Sequence, residues 1–151
     1  MIRVIGLGAP FGDDRAGWRV IDALRDQAPA AVDLVALDRP GATLINWFDG
    51  VSALYIVDAV NDGGPAGRVL TLTADDILAI PAHISSHQLN LPSTLRLARS
   101  LRALPPSLTV VGITIADLAQ SSPAVEAGIR QAADIVAQAL CEKIGACNAL
   151  P

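Results

Sequence analysis

Three short stretches of the chain, "IRVIGLG" (2–8), "ALYIVDAV" (53–60) and "LTVVGITI" (108–115), are apolar almost without interruption. Strands with one wet face alternate apolar and polar residues, so these runs read as strands of a sheet covered on both faces, the habit of parallel sheets. The sequence between them supplies the covers. A helix from about Asp14 places Trp18, Ile21 and Leu24 on one face, and "VDLVALD" (Val32–Asp38) is a second strand that leads through "RPG" into a short helix, "ATLINWF". The turn-rich "NDGGPAG" precedes "RVLTLT", whose alternation suits an edge strand antiparallel to its neighbour. In "LPSTLRLARSLRAL", Leu91, Leu95, Leu97 or Ala98, and Leu101 or Leu104 recur at helical spacing. A closing helix has Ser122 as its N-cap, Pro123 at its first position, and an apolar stripe of Val125, Ile129, Ala132, Val136 and Leu140. The expectation is one domain, 1–151, with an α/β fold: a three-layer sandwich around a twisted five-stranded, mostly parallel sheet with one antiparallel edge strand and helices on both faces.

Composition narrows the function. With 52% hydrophobic and 17% charged residues, a chain of 151 can bury a sizeable core. The net charge is -4 with no run of Lys or Arg, which argues against nucleic acid and acidic membranes as partners. "MIRVIGLG" lacks the apolar core and cleavage site of a secretory signal, and no apolar run is long enough to span a membrane, so a cytoplasmic location is expected. Cys141 and Cys147 match neither a redox pair nor a zinc knuckle, and read as reduced bystanders. Aromatic residues make up only 3%, too few for a base-stacking or sugar-binding surface.

In open α/β sheets ligands bind at the carboxyl ends of the strands. There the chain places carboxylates: Asp13 and Asp14 after the first strand, Asp38 at the end of the second and Asp58 inside the apolar third. Asp58 is the most informative, because a carboxylate near the end of a buried strand needs amides, a cation or a metal to offset its desolvation. Helix capping or loop amides would also satisfy Asp58 and Asp38, and acids such as Asp13 and Asp14 are favoured in a helix's first turn by up to about 1 kcal/mol. The glycine turn "GLGAPFG" resembles a dinucleotide-binding loop, but its spacing is off by one residue. Two acids also occupy the place where a phosphate needs bare amides, and like charges 4 Å apart repel by roughly 4 kcal/mol at an effective dielectric of about 20. Converging carboxylates suit a divalent cation instead. The two histidines, His83 and His87, share the loop "HISSHQLN". His83 reads as a solvated loop residue, whereas His87, just before a helix, is placed to reach back over the strand ends.

Together "GLGAPFGDDRAG", "YIVDAV", "ISSHQL" and "LTVVGITI" resemble, in order and spacing and over nearly the whole chain, the nickel-iron hydrogenase maturation endopeptidases. The first is similar to that family's G-x-G-N-x-x-x-x-D-D/E-x-x-G. The resemblance implies a mixed five-stranded sheet, a metal site of Asp14, Asp58 and His87, and a substrate that is a hydrogenase large-subunit precursor. Its nickel would be read before a C-terminal extension is cut off. The enzyme is expected to be a monomeric peptidase whose nickel comes with the substrate. Two carboxylates and an imidazole leave positions open on a divalent ion, and either a metal-bound water or a water activated by Asp14 or Asp38 would serve hydrolysis. The sequence departs from the family pattern at Ala9, where asparagine is usual, in a turn one residue shorter, at Arg15 and at "DRPGAT", which leaves Arg15 or Arg39 free to read an acidic feature of a different substrate. Two other readings are a nickel-checking chaperone that cuts nothing and a peptidyl-tRNA hydrolase, which "GLGAPFG" also resembles but which needs a basic surface and an early histidine.

Overall fold

Alternation of buried side chains to two sides is what the apolar strands require, and the computed structural model provides it. It describes residues 1–81, 91–116 and 122–145. The elements are β1 (Ile2–Gly8), a 3-10 turn (Gly12–Arg15), α1 (Ala16–Leu24), β2 (Val32–Asp38), a 3-10 helix (Gly41–Trp47), β3 (Ala53–Val60), β4 (Val69–Thr73), α2 (Ala74–Leu78), α3 (Leu91–Ser100), β5 (Ser107–Thr114) and α4 (Pro123–Ile144). The five strands form one sheet in the order β2-β1-β3-β5-β4. β1 pairs in parallel with β2 and β3, β3 pairs in parallel with β5, and β4 is the antiparallel edge.

Successive residues of the central strands enter opposite cores. Val4, Val57 and Val111 pack against α1 and α4. Their neighbours Ile5, Ile56 and Val110 pack against the 3-10 helix, α2 and α3. Each such side chain, fully buried, contributes about 1.5–3 kcal/mol, so both helical layers are held mainly by the sheet. α1 lies directly on β1: a Cβ on Gly17 would stand 2.1 Å from the Leu7 carbonyl oxygen, and one on Gly6 would stand 2.3 Å from that of Gly17. This close approach needs glycine at both positions.

The structure moves several boundaries. The helix expected from Asp14 begins as a 3-10 turn and becomes α-helical only at Ala16. "ATLINWF" is also 3-10 rather than α. α2 was not legible as a helix; it is fixed by a reciprocal cap between Thr73 and Asp76. α3 stops at Ser100, so Leu101 is exposed and Ala98, not Leu97, faces the core. β2 is an edge strand and is only half-buried, unlike the doubly covered central strands. The closing helix is as expected, with the Ser122 side chain accepting from the Val125 amide and Gly145 ending it at φ 72°.

Candidate active-site cleft

The chain leaves β1 for α1 on one face and β2 on one side, and then crosses the opposite face to β3 on the other side. The carboxyl ends of β1 and β3 therefore border the crevice where such sheets bind ligands. A cleft of about 270 Å³ opens there. Asp14, Asp58 and Arg39 line it together with apolar walls from Leu7, Leu44 and Leu91 and the side of Thr94.

Asp14 is brought to the cleft by the turn that follows β1. The Ala9 amide donates to the Asp14 carbonyl oxygen (3.2 Å) and the Asp14 amide to that of Phe11 (2.9 Å), while Gly12 adopts φ 46°. Gly8 makes this return possible, because a Cβ there would meet the Asp14 carbonyl oxygen at 2.8 Å. The glycine that resembled part of a phosphate loop accommodates the chain's own carbonyl.

Asp13 does something different. It is buried, and its Oδ1 accepts from the Ser122 amide (3.1 Å) at the start of α4. It ties the turn to the last helix, and Asp14 is the acid left facing the cleft.

Asp58 is 9% exposed. Burial pushes its carboxyl up to about 7, with the Asp14 charge adding to the shift and the Ala59 amide opposing it. Burial also raises the Asp14 carboxyl, against the pull of Arg39 and with the push of Asp38. Among the described residues no Lys or Arg forms an ion pair with either acid. The site is therefore deficient in positive charge.

Asp38 is exposed and is not among the described residues that line the cleft; it stands beside it, opposite Gly8 in the β1–β2 register, and its Oδ1 accepts from Arg39 Nε at 2.6 Å. Arg15 is exposed and is not among the described residues that line the cleft. His83 and His87 lie outside the described residues. Among the described residues no three His, Cys, Asp or Glu side chains gather to hold a metal ion, so Asp14 and Asp58 offer two oxygen donors of the expected three-residue set. Thr94 and the packing role of Gly17 were not anticipated. For Gly17 the available signal was a glycine near the start of a helix that follows a strand ending in glycines.

The chain matches the hydrogenase maturation protease family over residues 18–143. It belongs to that family. The match includes β3 and Asp58 but starts after Asp14. Hydrogenase expression/formation protein HupD of Rhodobacter capsulatus is 26% identical over 116 residues, which is 74% of this chain and 55% of that protein; the chain spans about half the length of this curated relative. Among solved structures, the hydrogenase maturating endopeptidase HybD from E. coli is 29% identical with a TM-score of 0.80, covering 94% of this chain and 93% of its own. The hydrogenase 2 maturation peptidase from a Thaumarchaeota archaeon is 30% identical with a TM-score of 0.67, covering 92% and 97%. The mixed five-stranded sheet is that of the family.

Proposed function

We propose that this protein is an endopeptidase that removes the C-terminal extension of a nickel-iron hydrogenase large-subunit precursor after nickel insertion, using Asp14, Asp58 and His87 to read the ion that the precursor carries. Family membership supports the peptidase class. The observation that carries the metal reading is Asp58, a carboxyl buried at the end of an apolar strand, facing the same cleft as Asp14. Such a pair is costly without a cation, and an ion brought in by the substrate offsets that cost. Oxygen donors with an imidazole suit a divalent first-row ion, nickel included. Asp14, which burial raises in the metal-free protein, and Asp38 beside the cleft are the two candidate bases for a hydrolytic water. On this reading the enzyme works in the cytoplasm as a monomer. Among the described residues no helix is long and apolar enough to cross a membrane.

The test is incubation of the purified protein with nickel-loaded and nickel-free precursor, followed by mass determination of the large subunit. A shortened product from the loaded precursor alone is expected, and Asp58→Asn and His87→Ala should abolish it with circular dichroism unchanged. Nickel-dependent complex formation without shortening would replace the protease by a nickel-checking chaperone. Wild-type rates in both variants would refute the site.

A further inference from the structure

The rim of the cleft holds a cation in a conformation that needs explaining. Arg39 has φ 41°, in the left-handed region that a residue with a Cβ enters at a cost. Three contacts hold it there. Its backbone amide donates to the Gly8 carbonyl oxygen (3.2 Å), its Nε donates to Asp38 Oδ1 (2.6 Å), and its guanidinium lies 6.0 Å from the centre of the Phe11 ring. Phe11 is itself 57% exposed, and this contact joins the turn after β2 to the turn after β1 beside the cleft that Arg39 lines. An exposed ion pair contributes little to stability, and does not by itself account for a strained backbone at this position.

The hydrogen bonding of the side chain is incomplete in a particular way. Asp38 takes Nε, which fixes the plane of the guanidinium, and among the described residues nothing accepts from Nη1 or Nη2. Those two nitrogens form the end-on fork that matches a carboxylate with two parallel hydrogen bonds. The charges in the cleft point the same way. Asp14 and Asp58 face a cation on the substrate, and Arg39 is the cationic side chain among the described lining residues, left to face an anion.

We propose that Arg39 is a specificity-determining residue whose Nη1 and Nη2 bind a carboxylate of the substrate segment lying across the β1 and β3 strand ends. The proposal rests on the protease reading above. The carboxylate is either an Asp or Glu side chain near the scissile bond or the terminus of the extension, and the chemistry at Arg39 is the same for both. The Phe11 ring lies beside the guanidinium, and Asp38 holds its Nε.

The probe is the nickel-loaded large-subunit precursor, with KM and kcat measured separately. Arg39→Gln and Arg39→Gly should each raise KM roughly tenfold, the size of one charge-assisted hydrogen-bonded contact, over and above any change in kcat that follows from freeing Asp38 and the Asp14 carboxyl of the Arg39 charge. Arg39→Gly accepts φ 41° without strain, so its loss reports the side chain rather than the backbone. Arg39→Lys should recover only part of the affinity, because an ammonium cannot present the fork. Precursors with single Asp→Asn or Glu→Gln changes near the cleavage site, and one with its terminus extended by a short neutral tail, locate the partner. One of them should lose the same factor with wild-type enzyme and lose nothing more with Arg39→Gln. An unchanged KM in Arg39→Gln and Arg39→Gly, or losses that simply multiply for every precursor, would overturn the proposal while leaving the protease reading intact. If the wild-type protein cleaves no precursor, the protease reading fails and this proposal falls with it.

Discussion

Gly17→Ala tests the architecture that delivers the cleft. A methyl group at Gly17 would stand 2.1 Å from the Leu7 carbonyl oxygen, 2.7 Å from that of Val57 and 2.9 Å from the Leu7 amide nitrogen. All three are backbone atoms of central strands, which cannot swing aside as a side chain tip can. Overpacking of this kind costs about 1–3 kcal/mol, and three such contacts place it near the upper end. Alanine returns up to about 1 kcal/mol through its higher helix propensity. The net loss is about 2 kcal/mol, which for a chain of this size lowers the melting temperature by about 4–8 °C. Gly145→Ala is the control, since at φ 72°, with nothing among the described residues within 4 Å, it meets backbone strain of about 1–2 kcal/mol at the end of α4. The decisive difference is in activity. Lifting α1 off β1 and β3 also lifts the turn that carries Asp14, so Gly17→Ala should reduce processing at temperatures where it is fully folded, and Gly145→Ala should not. Thermal melts by circular dichroism with parallel cleavage assays decide the matter: a Gly17→Ala protein as stable and as active as wild type would refute the packing argument.

Two further outcomes are expected. Asp13→Ala strands the Ser122 amide at the head of α4 and should destabilise the protein by about 1–3 kcal/mol in urea titrations, whereas Asp14→Ala should keep full stability and lose processing. The reverse pattern would mean that the roles of the two acids have been exchanged. Asp58 makes the stability of the metal-free protein pH-dependent. Its folded-state value of about 7 lies above the ordinary 3.8, so the folded protein holds a proton that the unfolded chain releases. Stability should therefore fall as pH rises from about 4 to about 7 and then level off, a loss on the order of 4 kcal/mol at most. Asp58→Asn cannot ionise and should be more stable than wild type at pH 8, with a flatter profile in denaturant melts. A variant less stable than wild type at that pH would show that the charge is satisfied within the fold.

The physical basis of these expectations divides between sequence and tertiary structure. Periodicity alone placed the five strands, the last helix with its Ser122–Pro123 start, and Asp58 as an acid in an apolar strand, because each is a local pattern whose burial follows from its spacing. Local pattern could not find α2, whose short length leaves the Thr73–Asp76 cap to define it, or show that β2 is an edge, which depends on the order of strands and not on their composition. Nor could it separate Asp13 from Asp14, which only the family resemblance told apart. They are chemically identical neighbours, but a 3-10 turn rotates successive side chains by about 120°, and only the packed molecule shows which direction meets α4 and which meets the cleft. The partner that decides the role of Asp13 is Ser122, 109 residues away, and Arg39 is distinguished from Arg15 by its place over the strand ends. The sequence determined which chemistry was available, since residue type and local period are properties of short segments. The tertiary structure decided which of those groups share a cleft, since that depends on contacts between segments far apart in the chain.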